Sequence, residues 1–130
     1  MNSKIIEKIK CDDILSKIIA SFDNNIYLVG GTVRDFYLGN DSVDRDIIVM
    51  DEDARKFALK LAEFFNAAFV PLDEENKIYR LVMRDKINYI DITNPIENSL
   101  EKDLMRRDLT INAIAVNIRT GDRKSTRLNS

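Results

Sequence analysis

Residues 26–49 constrain the fold more than any other stretch: Ile-Tyr-Leu-Val-Gly-Gly-Thr-Val-Arg-Asp-Phe-Tyr-Leu-Gly-Asn-Asp-Ser-Val-Asp-Arg-Asp-Ile-Ile-Val. The apolar run Ile26–Val29 reads as a short buried strand. Gly30-Gly31 follows at once, and Thr32–Leu38 reads as a short helix stopped by Gly39. Asp44-Arg45-Asp46 then leads into a second apolar strand, Ile47–Val49. Alternate residues of an extended chain share a face, so Asp44 and Asp46 point the same way, with Cα atoms roughly 6.5 Å apart. Two such carboxylates repel unless a cation lies between them, and a hard divalent ion, above all Mg²⁺, suits oxygen ligands. Glycine lets backbone approach a ligand closely, and free N–H groups at a helix start attract phosphate. A phosphate cradle at Gly30 and Gly31 beside a metal-binding acid pair is what a nucleotide-handling enzyme needs. Taken singly, each half is also compatible with a tight turn and a solvated loop end.

Composition narrows the chemistry. There is no histidine among the 130 residues. That excludes Ser-His and Cys-His nucleophilic catalysis and His-ligated zinc, leaving carboxylates, Lys, Arg and Tyr to do the work. A net charge of −2 provides no overall field to attract nucleic acid. The length suits one domain, and the single cysteine, Cys11, has no intrachain disulfide partner. No apolar run approaches the ~20 residues needed to span a bilayer. The start, Met-Asn-Ser-Lys, lacks the apolar core of a secretion signal, so a cytoplasmic location and no membrane partner are expected.

Along the chain, residues 4–22 carry apolar side chains at helical spacing, with a break at Asp12-Asp13. Asp51 is positioned to cap a helix whose stripe is Ala54, Phe57, Ala58, Leu61, Ala62 and Phe65. A strand is expected over 67–72, a hairpin over 77–84 and 87–93, and a sheet terminus at Asn94-Pro95. Ser99 can cap a further helix, and Val116–Ile118 adds a strand. Strands alternating irregularly with helices, and including a hairpin, give an α/β (α+β) class with a small mixed sheet flanked by helices. The hairpin's second strand carries a third acid, Asp91, on a face with Tyr89 and Thr93. Asp91 either joins the Asp44/Asp46 pair, if the strands are neighbours, or faces solvent.

Gly30-Gly31-Thr32-Val33-Arg34-Asp35, then Leu38-Gly39, then Val43-Asp44-Arg45-Asp46, together resemble the signature of the polymerase-beta-like nucleotidyltransferase superfamily, in the branch of class II CCA-adding enzymes and bacterial poly(A) polymerases. Residues 101–113, Glu-Lys-Asp-Leu-Met-Arg-Arg-Asp-Leu-Thr-Ile-Asn-Ala, resemble a second motif of that branch. The resemblance implies a nucleotidyltransferase head over residues 1–122, with Asp44 and Asp46 as catalytic metal ligands and Asp91 as a third catalytic acid. It implies Gly30, Gly31, Arg34 and Arg107 as nucleotide-binding residues, with Arg107 on the triphosphate, and Asp108 and Asn112 shaping their loop. The implied cofactor is Mg²⁺ and the implied partners are ATP, CTP and the 3′ end of tRNA. The implied reaction is in-line attack of an RNA 3′-hydroxyl on the α-phosphorus, with pyrophosphate leaving. A poly(A) polymerase, an enzyme adding only A or only C, and a non-catalytic nucleotide-binding module are the alternatives. Arg45 stands between the acids where the pattern usually has an apolar residue, and the role of Arg80 is open. Residues 123–130 match nothing expected and read as a disordered tail, in place of the family's neck, body and tail.

Overall fold

The computed structural model describes residues 3–96, 99–107 and 114–125. The described elements are helices α1 (Ser3–Cys11) and α2 (Asp13–Ser21), strand β1 (Ile26–Val29), helix α3 (Gly31–Tyr37), strand β2 (Asp44–Val49), helix α4 (Ala54–Phe65), strands β3 (Ala68–Asp73), β4 (Ile78–Val82) and β5 (Tyr89–Thr93), helix α5 (Leu100–Arg107), and strands β6 (Ile114–Asn117) and β7 (Arg123–Ser125). The expected α/β class with a mixed sheet is what forms. Seven strands lie in the order β3-β4-β5-β2-β1-β6-β7. The β2–β5 pair is parallel, and the other neighbours are antiparallel.

Period-two alternation divides the sheet between two layers. Ile26, Leu28, Ile47, Val49, Tyr79, Leu81, Ile90 and Ile92 join the larger core, packed with residues of α1–α4 such as Ile9, Ile18, Phe36 and Phe57. Tyr27, Val29, Ile48 and Ala115 face the other way and pack with Leu100 of α5. The acids of β2 therefore lie on the α5 side, away from the main core. No helix among the described residues is long and apolar enough to cross a membrane.

The break expected at Asp12-Asp13 is a cap. The Asp12 carboxylate accepts the Leu15 amide at 2.9 Å and starts α2. At α4 the cap is Asp53, not Asp51, because Asp51 is recruited by Asn24 Nδ2 and the Asn25 amide. Strand β6 begins at Ile114, earlier than expected. Arg123–Ser125, expected in a disordered tail, pair with β6 as an edge strand, so polar composition gives way to a backbone ladder. Residues 126–130 lie outside the described residues.

The Asp53 cap accepts the Lys56 amide at 3.2 Å and an ammonium proton from Lys77. Chiefly the Lys77 hydrogen bond holds its carboxyl below the ordinary aspartate value. A lowered folded-state pKa contributes stability above the ordinary value of about 3.9, and that contribution is lost as pH falls through the folded value. Asp53→Ala is expected to cost about 1 kcal/mol at pH 7. Urea midpoints for the two proteins should draw together at pH 3.

Candidate active site

The site is built on one row across the sheet. In the strand register Val29 of β1 faces Asp46 of β2, Asp46 faces Asp91 of β5, and Asp91 faces Arg80 of β4. Directly paired residues share a face, so Asp91 lies on the same side as Asp46, and Asp44 joins them by alternation. Ile47, Ile48 and Val49 are buried, which fixes the register of β2 firmly. The acids themselves are half-buried.

Around Asp44 the fold supplies two hydroxyls. Thr32 Oγ1 donates to the Asp44 carbonyl at 2.7 Å, tying the start of α3 to the start of β2. Ser42 Oγ lies 2.9 Å from both that carbonyl and Asp44 Oδ1, its single proton serving either. Neither hydroxyl was expected from the sequence; only Ser42's place in the loop before Asp44 hinted at it.

Gly30 sits at φ 76°, ψ −152°, a conformation essentially reserved for glycine. A Cβ there would stand 3.2 Å from Asp46 Oδ2. The bare Cα thus keeps backbone directly beside the acid. Gly31 has no positive φ, and a Cβ on it would meet only the mobile guanidinium end of Arg34, at 3.3 Å. Gly30→Ala is accordingly expected to lose about 1–3 kcal/mol in urea unfolding, whereas Gly31→Ala should lose much less. Arg34 projects outward, its side chain 74% exposed, with Nε 3.9 Å from Asp35. Arg107 ends α5, but its side chain lies outside the described residues, as do Asp108 and Asn112.

Asp91 is held by Arg80. The guanidinium donates through Nε at 2.8 Å and through Nη2 at 2.9 Å, one bond to each carboxylate oxygen. It also lies 4.1 Å from the centre of the Tyr89 ring. The hydrogen bonds to Asp91 push the Arg80 pKa above its ordinary value. The role of Arg80 is open from sequence; its signal there is the pattern Leu72-Asp73, five residues, then Tyr79-Arg80, which resembles some relatives.

Arg45 takes the opposite side. Its side chain is 7% exposed and forms a two-pronged pair with Asp12, Nη2 to Oδ1 at 2.6 Å and Nε to Oδ2 at 3.1 Å. Nη1 donates to the Val43 carbonyl and to Asn88 Oδ1. The residue between the acids is thus a buried anchor to α2, not a ligand-facing cation.

Oxygen donors without nitrogen or sulfur suit a hard divalent cation, and Asp44 and Asp46, on one face of β2, are the residues that could hold one. Among the described residues no three acids converge on one ion position, and Asp91 spends both oxygens on Arg80.

Known proteins share this head. The chain is 38% identical over 86 residues to a CC-adding tRNA nucleotidyltransferase of Thermus thermophilus, covering 66% of the chain and 19% of that protein. It is 42% identical over 89 residues to an A-adding tRNA nucleotidyltransferase of Deinococcus radiodurans, covering 68% and 19%. The structure superposes on a Thermotoga maritima CCA-adding enzyme complexed with tRNA, with a TM-score of 0.72 and 31% identity over 92% of this chain and 30% of that one. The chain spans about a fifth of the length of the curated relatives it matches. The family described as the poly A polymerase head domain matches residues 26–124, and the chain belongs to that family.

Proposed function

We propose that the chain is the catalytic head of a template-independent tRNA nucleotidyltransferase, moving CMP or AMP from CTP or ATP to a tRNA 3′ end. The observation that carries this reading is the register that faces Asp46 with Asp91 while Gly30 backs onto Asp46. Relatives named CC-adding tRNA nucleotidyltransferase, A-adding tRNA nucleotidyltransferase and multifunctional CCA protein match 66–68% of this chain at 38–42% identity. That breadth supports a shared transfer site here, with the choice between C and A made in another part of such an enzyme. Structures of related enzymes with CTP and with tRNA support the same partners.

In this reading Asp44 and Asp46 hold Mg²⁺, which when bound supplies charge neutralisation for the triphosphate and a lowered pKa for the attacking hydroxyl. Ser42 and Thr32 fix the Asp44 carboxylate and backbone. Gly30 and Gly31 admit the triphosphate close to the main chain, and Arg34 and Arg107 meet its phosphates with planar guanidinium groups. A carboxylate of the site or water takes the single proton of the attacking hydroxyl, since no histidine is present. The test is incorporation of labelled CTP and ATP into tRNA lacking its terminal CCA, beside Mg²⁺-dependent nucleotide binding by the same chain. Binding and incorporation lost together in Asp44→Ala support the assignment. Incorporation that survives Asp44→Ala and Asp46→Ala rejects it. Binding without incorporation favours a nucleotide-binding module.

A further inference from the structure

Asp44, Asp46 and Asp91 share one face of the sheet, and Arg80 stands in register beyond Asp91. Arg80 reaches both oxygens of Asp91, at 2.8 and 2.9 Å, and rests on Tyr89 at 4.1 Å. Its side chain is only 35% exposed, and the register places it across β5 from Asp46. A paired and stacked guanidinium in this position is expensive to release, because a planar fork on a carboxylate and a ring face constrain it together. Nothing in the core requires it: the neighbouring core positions of β4 are Tyr79 and Leu81, on the other face. A surface ion pair kept for stability alone contributes little. The location beside the acids, not the stability, is what distinguishes this one.

Resting on the nucleotidyltransferase reading of the site, we propose that Arg80 is a positioning residue that pins Asp91 and supplies standing positive charge to the acid row, holding the nucleotide-free site to weak divalent-cation binding. Among the described residues, Arg80 holds a fixed positive charge at the end of the row, with both Asp91 oxygens accepting from it. Tight cation capture then awaits the negative charge of an arriving triphosphate. This orders the two partners: nucleotide and cation enter together, and a bare ion is not trapped first.

The test is Mn²⁺ titration of the nucleotide-free chain, with free Mn²⁺ counted by electron paramagnetic resonance. Arg80→Gln is expected to bind Mn²⁺ about fourfold more tightly, the effect in a water-like dielectric of removing a unit charge two strand spacings, about 10 Å, from the β2 acids that would hold the dication. Arg80→Lys keeps the charge and loses the fork, so its Mn²⁺ affinity should stay within about 1.5-fold of the parent, while its incorporation rate falls with Asp91 unpinned. Arg80→Met is the second neutral variant, and circular dichroism melts establish that each variant is folded. Equal Mn²⁺ affinity in the parent and the folded neutral variants overturns the proposal. Asp46→Asn separates this from failure of the site itself. Parent Mn²⁺ binding that is unchanged by Asp46→Asn overturns the underlying metal assignment, whereas binding abolished by Asp46→Asn but unmoved by the Arg80 variants overturns the role of Arg80 alone.

Discussion

Asp46→Asn is expected to lower nucleotide incorporation by more than about 100-fold while leaving the fold in place. Groups that merely support a metal ligand cost about 10–100-fold when removed, so loss of Asp46 in the role proposed for it should exceed that range. Asparagine preserves the shape and removes the charge. The strand around it is held by Ile47, Ile48 and Val49, all fully buried, and by pairing with β1 and β5 on both sides. Asp46 is also the acid with most at stake, since it faces Asp91 on one strand, Val29 on the other, and abuts Gly30. Single-turnover transfer of labelled CMP to tRNA lacking CCA, with the melting temperature measured in parallel, checks this. Retention of a tenth or more of parent activity in the folded variant would remove Asp46 from the metal site.

The largest stability effect should come from the other face of the same strand. Arg45→Met is expected to cost about 3–5 kcal/mol, because it strands the buried Asp12 carboxylate without its partner. Both side chains are less than a tenth exposed, at 7% and 9%. Asp12 keeps one task regardless, accepting the Leu15 amide at the start of α2. An asparagine there can still cap, so Asp12→Asn combined with Arg45→Met should recover much of the loss, as replacing both members of a buried pair generally does. Denaturant unfolding of the two single variants and the double variant gives the coupling directly. Against a typical total of 5–15 kcal/mol, Arg45→Met alone should lower the melting midpoint by about 10–20 °C. A loss under 1 kcal/mol would show that the pair is solvated in solution.

The parts of this molecule that were legible in the sequence are those governed by near neighbours. The strand–glycine–helix–strand run over 26–49 is set by local periodicity and by what glycine permits, and β1, α3 and β2 form there. The hairpin carrying Asp91 was readable for the same reason. Whether Asp91 would join the other acids was not, because that depends on which strand lies beside β5, and the neighbour is β2, parallel and more than forty positions away in the chain. The partner of Arg45 was hidden similarly: alternation predicts that it faces away from Asp44 and Asp46, but nothing local says that Asp12 will be there. The α4 cap moved from Asp51 to Asp53 through a contact with Asn24 and Asn25, again at long range. Strand β7 is a case of pairing overriding composition. Arg123, Lys124 and Ser125 have no apolar pattern to announce a strand, yet β6 offers them an edge.

The alternation along β2 has a consequence for how the molecule assembles. A one-position slip of that strand would thrust two carboxylates into oil and turn the guanidinium outward onto the face where the acids belong. Such a misaligned chain forfeits its clasp on the second helix at the same moment as it loses its chemistry. Faulty copies are therefore unstable ones, and the cell's degradation machinery can remove them without ever sensing the reaction they fail to perform.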